Sequence, residues 1–528
     1  MIDGEPQTFR WTRRTAWALL LLLCLGPVLA VFLPVLLSPG ESLAQLGEVL
    51  TSVRRGVLLT KTCGMAAATA LLACLVGLPF GCWLEERRIP WRNGVACLLI
   101  APLLVPQHVL AVAWIDVLGQ QGLLARWGLP HLSPYGPLGV VFVQALAWYP
   151  IPLIAVWYRL RHLDPGLRDA ARTLADGRTR FLRVTLPLLM PALRTSAVIL
   201  FVLSLLSFSV PSLLQVDGFT VEIFTSFNSL LDQRQAVLVA LPLVLTGVVA
   251  MGWMTRKYSR SPLPRAAVSS PGQSMGWSRW MALGLFVGAT VALPIAAMLA
   301  RVGGAAALLR AWHTGASEIG TTALLGVVGA SATLLLVLPL TMGAGRMARW
   351  AGWIAAMAYL VSGPVFGAGL IQLWNHAGVP GFLYDRFPIL LIAVVGRYAL
   401  FAWLGCALAR QWLPTATIDA ARNLGASPRE LLLRVALPQI VRPLLATWAC
   451  LFVLIAGELE CIILVAPPGW VPVSLRMYTL MHYGPDGMVS ALALVQAATA
   501  ATILACLAVT YFAHGVYTPR ESRYHTSR

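Results

Sequence analysis

Two nearly identical segments decide the fold of this chain: residues 169–174 read DAARTL, and residues 419–424 read DAARNL. Each is followed by a second shared segment, RVTLP at 183–187 and RVALP at 434–438. Both pairs lie in polar, arginine-rich stretches of an otherwise apolar sequence. The duplication predicts that the chain consists of two copies of one unit.

The composition around these segments indicates a membrane protein. The 528 residues are 58% hydrophobic and 11% charged, with a mean hydropathy of +0.76, whereas a soluble domain carries about 25% charged residues. Apolar runs reach the length of about 20 residues that a bilayer-spanning helix needs. We therefore predict an all-α polytopic membrane protein whose partner on its apolar faces is the lipid bilayer.

We predict about twelve transmembrane helices, arranged as two six-helix repeats. The first repeat is 1–255, a Ser-, Pro- and Arg-rich linker follows at 256–279, and the second repeat is 280–528. Six spans bring the chain back to the side on which it started, so the repeats are parallel. The predicted spans are 16–37, 62–84, 95–117, 136–158, 192–214, 235–254, 280–300, 320–342, 351–373, 388–408, 441–464 and 488–512.

The distribution of charge predicts how the chain lies in the membrane. The net charge is +18, but only two of the basic residues are lysines and the arginines concentrate in alternate loops. Cytoplasmic loops of membrane proteins carry this excess, which places both termini and both repeated segments in the cytoplasm and argues against nucleic acid as a partner. The nine cysteines lie in apolar runs without a CxxC pair, so we expect neither disulfides nor a metal site.

The second repeated loop predicts two helices joined by a tight turn. Gly425 can end a short helix that carries Asp419, because glycine adopts the left-handed conformation of a helix C-terminus. Ser427 and Glu430, with a proline between them, are typical of a capping box at the start of the next helix. We expect that helix to end at Leu437, before Pro438. In the first loop the glycine comes two positions later, at Gly177.

The spacing of Asp-Ala-Ala, Gly and Leu-Pro resembles the EAA signature of the membrane subunits of type I ATP-binding-cassette (ABC) importers, with Asp where the family usually has Glu. In that family the loop forms a coupling helix that docks on the ATP-binding subunit. The resemblance covers both halves and implies the type I importer permease fold, with coupling loops at 159–191 and 409–441. The coupling residues that it implies are Asp169, Ala170, Ala171, Gly177, Asp419, Ala420, Ala421 and Gly425.

The resemblance also implies the partners of this chain. They are a dimer of ABC ATP-binding subunits and a periplasmic substrate-binding protein, at the inner membrane of a bacterium. A phosphate-binding loop needs Gly-Lys-Ser/Thr, but Lys61 follows Thr60 and Lys257 follows Arg256. We therefore expect no catalytic residue and no cofactor in this chain, with ATP and Mg in the partner subunit.

Charged residues within predicted spans are costly and point to function. Arg397 lies near the middle of the tenth span, and Glu458 and Glu460 lie near the outer end of the eleventh. The repeat offset places Ser207 and Ser209 opposite the two acids. We expect these five residues on the translocation path, with Arg397 and Glu458 paired in one state; the alternative is a static ion pair that only packs two helices. We expect ordinary interhelical hydrogen bonds from Asp116, His108, Gln144 and Gln372.

The stretch from Gly457 to Gly484 resembles the fused permeases of the ferric-iron import group. This resemblance implies ferric iron as the substrate, with thiamine, phosphonates and polyamines as alternatives carried by related permeases. Tyr478, His482 and Tyr483 are then expected in an outer loop that docks the binding protein, rather than as iron ligands. A twelve-span secondary transporter remains a further alternative, because it would also have two parallel halves.

Overall fold

The computed structural model is built almost entirely of α-helices. It describes residues 7–130, 132–163, 177–228, 233–258, 273–342, 346–413, 415–427, 430–483 and 486–513. Within these ranges the strands are β1 (Arg87–Arg88) and β2 (Gln273–Ser274), which pair in parallel. This two-residue ladder joins the end of the predicted linker to the loop after the second span.

The first half of the described chain runs from residue 7 to 258. Its helices are α1 (Gln7–Leu20), α2 (Gly26–Leu37), α3 (Pro39–Thr51), α4 (Val53–Glu86), α5 (Arg92–Ile100), α6 (Gln107–Leu118), α7 (Leu123–Arg126), α8 (Pro137–Trp148), α9 (Pro150–Arg161), α10 (Gly177–Arg180), α11 (Leu186–Leu206), α12 (Ser209–Leu213), α13 (Phe219–Asn228) and α14 (Gln233–Tyr258). A 3-10 turn at Ala101–Leu104 extends α5.

The second half runs from residue 273 to 513. Its helices are α15 (Trp277–Val287), α16 (Leu293–Val302), α17 (Ala305–Thr314), α18 (Ala316–Met342), α19 (Arg346–Leu360), α20 (Gly363–Trp374), α21 (Val379–Tyr384), α22 (Pro388–Arg410), α23 (Thr415–Asn423), α24 (Leu437–Ala456), α25 (Ile462–Val465), α26 (Val473–Tyr483) and α27 (Asp486–Ala513).

The two halves repeat the same elements in the same order, down to individual hydrogen bonds. The Phe219 amide donates to Thr62 Oγ1 over 2.9 Å, and the Val473 amide donates to Thr322 Oγ1 over 2.9 Å. Each bond ties the start of the penultimate helix of its half to the long second span. The predicted fold class, an all-α membrane protein of two parallel repeats, is confirmed.

Two of the about twelve predicted spans are broken helices in the structure. Among the described residues nine helices are long and apolar enough to cross a membrane, or ten if one bent pair counts as a span. The bent pair replaces the predicted span 351–373: α19 and α20 meet at 103°. The predicted span 95–117 is likewise split between α5 and α6. The break between α19 and α20 precedes Pro364, and the break between α5 and α6 contains Pro106. The residue before a proline favours extended backbone.

Four π-helical turns explain how prolines are accommodated inside long helices. The turns Leu21–Leu25, Phe181–Thr185, Gly288–Ala292 and Leu431–Ala436 each end two residues before a proline. A proline removes one N–H donor and its ring crowds the preceding turn, and a widened π turn relieves both effects. The expectation that Pro438 ends its helix is therefore wrong, because the helix continues through the π turn into α24.

The first span of each half packs against the other half. Cys24 Sγ donates to the Gly396 carbonyl over 3.4 Å, and a Cβ atom at Gly369 would collide with the Pro27 carbonyl. In the other direction, α16 of the second half packs on α6 of the first half. The halves are thus interlocked by exchange of their first spans.

Candidate translocation cavity and coupling loops

Four helix breaks, two from each half, meet at the centre of the protein. In the first half they are the α5–α6 break at Val105 and the α11–α12 break at Ser207. In the second half they are the α19–α20 break at Ser362 and the α24–α25 break that begins at Gly457. Broken helices at membrane depth occur where backbone is buried in protein or lines a cavity.

Side chains satisfy the carbonyl groups that these breaks release. Arg397 Nη1 donates to the Val361 carbonyl over 2.8 Å, and Gln496 Nε2 donates to the Ala456 carbonyl over 2.8 Å. A matching pair of bonds follows the repeat, from Thr220 Oγ1 to the Ser207 carbonyl and from Ser474 Oγ to the Glu458 carbonyl. The matching pair shows that Ser207 and Glu458 occupy equivalent positions, as the repeat offset predicted.

The breaks enclose a cavity of about 110 Å³. The first half contributes mostly apolar and hydroxyl groups to its wall, and the second half contributes the charged groups. All five residues predicted for the translocation path line this cavity: Ser207, Ser209, Arg397, Glu458 and Glu460. Their role in transport remains a prediction.

Arg397 is the central charged residue of the cavity. Its side chain is 3% exposed, and its Nη2 donates to Glu460 Oε2 over 3.1 Å. Glu458 Oε1 lies farther away, 4.0 Å from Arg397 Nε. The guanidinium also lies 5.1 Å from the centre of the Tyr359 ring, where a cation is attracted to the aromatic face. Arg397 therefore has two acidic partners, of which the predicted one, Glu458, is the more distant and Glu460 is the closer.

Glu458 is held mainly by neutral donors. Its Oε1 accepts the Cys461 amide over 2.7 Å, and its Oε2 accepts the Tyr398 hydroxyl. Glu460 differs because one of its bonds crosses to the first half: its Oε1 accepts the Phe208 amide over 2.7 Å. Neither arrangement follows from the sequence alone, because each depends on backbone N–H groups that a helix break exposes.

Sequence reasoning missed Tyr359, Tyr398 and the Phe208 amide as members of this site. The signal for Tyr398 was its position directly after Arg397 in a predicted span. Tyr359 gave a weaker signal, as an aromatic residue just before the Ser-Gly-Pro segment that breaks its helix. No signal pointed to the Phe208 amide, because any residue there except proline supplies the same donor.

The other polar residues of the spans make hydrogen bonds between helices. His108 Nε2 lies 3.3 Å from Gln496 Oε1, and Gln144 Oε1 accepts the Ser204 hydroxyl over 2.6 Å. Asp116 accepts the Ser490 hydroxyl and lies 3.9 Å from Arg301 Nε, so it also joins the two halves. Over the described ranges, no group of three or more His, Cys, Asp or Glu side chains could hold a metal ion.

The helix breaks divide the cavity wall into a part on the side of the repeated loops and a part beyond the breaks. Leu203 and Leu454, which precede the breaks on the loop side, are half-buried. Beyond the breaks Val210 and Ile462 are fully buried.

The second repeated loop has the predicted helix–turn–helix form. Helix α23 contains Asp419, Ala420 and Ala421, and Gly425 follows it with φ at +81°. The Glu430 amide donates to Ser427 Oγ over 3.3 Å, and the Ser427 amide donates to Glu430 Oε2 over 3.1 Å. These reciprocal bonds form a capping box, so glycine and box together turn the chain sharply between the two helices.

This loop also presents an unexpected apolar side chain. Leu424 directly follows α23 and is 88% exposed. Asp419 and Ala420 are exposed on the helix beside it. Of the corresponding residues in the first loop, Asp169, Ala170 and Ala171 lie outside the described residues, and Gly177 is exposed at the start of α10.

The capping box predicts a local dependence on pH. Hydrogen bonds from the Ser427 hydroxyl and amide, together with Arg434, lower the pKa of Glu430 below its usual 4.5. A carboxyl with a lowered pKa stabilises the folded loop above its usual pKa, and this stabilisation is lost as the pH falls through the lowered value. Amide hydrogen exchange in residues 430–437, corrected for its intrinsic pH dependence, should therefore lose protection between about pH 5 and pH 3. A Glu430→Gln control should show no such step; an equal step in the control would contradict the assignment.

Sequence comparisons show which known proteins this chain resembles. Residues 77–263 match the family described as "Binding-protein-dependent transport system inner membrane component". The chain is 23% identical over 467 residues to the Fe(3+)-transport system permease protein FbpB 2 of Haemophilus influenzae, covering 85% of the chain and 89% of that protein. It is 27% identical over 200 residues to the ferric transport system permease protein FbpB of Actinobacillus pleuropneumoniae, covering 36% of the chain and 28% of that protein. It is 31% identical over 144 residues to the molybdenum transport system permease protein ModB of Escherichia coli, covering 25% of the chain and 62% of that protein.

Proposed function

Because this chain is a permease component of a binding-protein-dependent ABC import system, we propose that its central cavity is the path by which ferric iron crosses the bacterial inner membrane. A periplasmic binding protein delivers the iron at the end of the cavity that faces away from the repeated loops. A dimer of ATP-binding subunits grips the two repeated loops on the cytoplasmic side. This chain forms the path and the coupling loops, and the partner subunit hydrolyses ATP.

The charge of the cavity wall is the observation that supports a cationic substrate. Among the described lining residues, the acidic and basic side chains are Arg397, Glu458, Glu460 and His108, whose Nε2 lies 3.3 Å from Gln496 Oε1. With both acids ionised and His108 neutral the wall has one negative charge in excess, and like charges in a poorly solvated site repel strongly. The wall therefore favours a cation over an oxyanion.

The names of the relatives support the same substrate. Two ferric permeases share 23% and 27% identity with the chain, and one of these alignments covers most of both proteins. The molybdenum permease is more similar in identity, but over only a quarter of this chain. Molybdate is an oxyanion and would meet the excess negative charge, so we favour iron. Thiamine, phosphonates and polyamines stay as alternatives for the test.

The geometry supports a transport cycle of alternating access. ATP binding would draw the two coupling loops together and rock the halves, because each first span is anchored on the opposite half. This motion would open the end of the cavity that faces away from the loops and shut the end near the loops. Hydrolysis would return the halves to the arrangement that opens toward the loops, which we propose is the present one.

Purification and reconstitution test this proposal. We expect an ATP-binding subunit to co-purify with the chain in stoichiometric amount in mild detergent. In proteoliposomes, the binding protein loaded with ferric iron should stimulate ATP hydrolysis several-fold and drive uptake of iron. Binding protein presented with thiamine, a phosphonate, a polyamine or molybdate should not.

Two results would contradict the proposal at different levels. Stimulation by one of the other ligands would replace the substrate and leave the permease function standing. Transport by the purified chain without an ATP-binding subunit would favour the secondary transporter instead.

A further inference from the structure

Glu460 is a carboxylate shared between the two halves. Within its own half, Oε2 accepts Arg397 Nη2 over 3.1 Å; across the interface, Oε1 accepts the Phe208 amide over 2.7 Å. Glu460 is also the most accessible charged group of the cavity, with a side chain 16% exposed, against 3% for Arg397 and 4% for Glu458. It is therefore both a cavity group and a bond that joins the halves.

Phe208 directly follows the break at Ser207, on the side of the cavity away from the repeated loops, and lies near two aromatic rings that the repeat places at equivalent positions. Its ring centre is 4.8 Å from that of Phe224 in α13 and 6.3 Å from that of Tyr478 in α26. The Tyr478 hydroxyl also lies 3.1 Å from Ser212 Oγ, a further bond between the halves. Separation of the halves at this end must break both the Glu460–Phe208 and the Ser212–Tyr478 bonds.

The same separation leaves the Arg397–Glu460 pair intact, because both residues belong to the second half. Glu460 would then face the open cavity without its two backbone partners in the first half, the Phe208 amide and the Ser209 amide. Three further polar atoms of lining residues make no hydrogen bond to the described residues: Gln107 Oε1, Ser207 Oγ and Arg397 Nε. An opened cavity thus gains a free carboxylate oxygen.

We propose that Glu460 alternates between the Phe208 amide and a cationic cargo. The cation binds to Glu460 when the cavity opens and is released when the cavity closes. In the closed arrangement the amide occupies Oε1. When the end opens, Oε1 binds the cation. When it closes, the amide returns and competes with the cation, which leaves toward the loops. This inference rests on the proposed transport function but not on which cation is carried.

Removing only the amide donor tests the exchange directly. Phe208→Pro has no backbone N–H, and Ser207 already has the extended backbone, with ψ at 127°, that precedes a proline. Phe208→Leu is the matched control, because it loses the same aromatic ring and keeps the N–H. Both are compared with the unaltered sequence in the complex with its ATP-binding subunits, without nucleotide.

Two measurements are made on each complex. The first is equilibrium binding of ferric ion, added as its citrate. The second is the yield of cross-linking in the variant Ser212→Cys/Tyr478→Cys, from which the native cysteines have been removed. The cross-linker is a short reagent with two thiol-reactive groups. Phe208→Pro should bind the ion about tenfold more tightly or better and cross-link less, because a charge-assisted hydrogen bond has been removed. Phe208→Leu should bind the ion as the unaltered complex does.

A second variant covers the case in which Phe208→Pro does not assemble. Glu460→Asp keeps the charge but is one methylene shorter, so it should also lose the amide, bind the ion more tightly and cross-link less. Equal ion binding by the assembled proline and leucine variants, or no change in Glu460→Asp if the proline variant fails, would overturn the inference. Neither result would affect the transport function, which is judged by uptake in proteoliposomes with the unaltered chain.

Discussion

Replacing Arg397 with glutamine is expected to abolish most transport and to lower the free energy of unfolding by about 3–5 kcal/mol. The guanidinium lies between Glu460 at 3.1 Å and Glu458 at 4.0 Å, and its side chain is 3% exposed. Without it two carboxylates remain buried close together with no counter-ion. Transport should be measured in proteoliposomes and stability by detergent-compatible chemical unfolding, so that a loss of assembly is not mistaken for a loss of function.

The double variant Arg397→Gln/Glu460→Gln separates the two roles that the sequence left open. Removing one acid should recover much of the lost stability. If Arg397 and Glu460 act on the path, transport should stay low; if they form a static pair, transport should recover with stability. Arg476→Gln is the control for stability, because its half-exposed pair with Glu318 at 3.7 Å should be worth less than about 1 kcal/mol. Normal transport by an assembled Arg397→Gln chain would remove Arg397 from the path.

Replacing Leu424 with glutamate is expected to release the ATP-binding subunit from the second half. Leu424 is 88% exposed, so the change should not affect the fold of this chain. An apolar anchor at the centre of an interface contributes about 2 kcal/mol or more, which is a factor of about 30 in affinity. The measurement is the affinity of the purified ATP-binding subunit for the chain, together with the ATP hydrolysis that a loaded binding protein stimulates.

Met347→Glu is the matched control for this prediction. Met347 is also an exposed apolar residue, 52% accessible in the first turn of α19, and it lies outside both repeated loops. It should leave binding of the ATP-binding subunit unchanged. If the Leu424 variant bound as tightly as the control, the exposed end of α23 would not be part of the docking surface.

The fold could be predicted from the sequence because its strongest signals are local and repeated. The apolar runs indicated the helices, and the segments at 169 and 419 indicated the duplication. Gly425 and the Ser427–Glu430 pair predicted the turn of the second loop, since a left-handed residue and a capping box each require particular side chains. Charge inside predicted spans indicated Arg397, Glu458 and Glu460 for the path, and the repeat offset added Ser207 and Ser209; all five line one cavity.

The helix breaks could not be predicted in the same way. Hydropathy does not distinguish a straight span from two shorter helices that meet at 103°, as α19 and α20 do. The breaks in turn decide the hydrogen bonds of the site, since they expose the Phe208 and Cys461 amides that bind Glu460 and Glu458. The sequence therefore indicated Glu458 as the partner of Arg397, whereas the geometry favours Glu460.

The central claim is that both repeated loops face the cytoplasm and are held there by another protein. It is tested by labelling single cysteines at positions 170 and 420, in a chain without its native cysteines, with a thiol reagent that cannot cross the membrane. In intact spheroplasts neither position should react, and in inverted vesicles both should react only after the ATP-binding subunit has been stripped away. Reaction of either cysteine from outside the cell would show that the loops point away from the ATP-binding subunits, and the proposed coupling of this chain to ATP hydrolysis would be wrong.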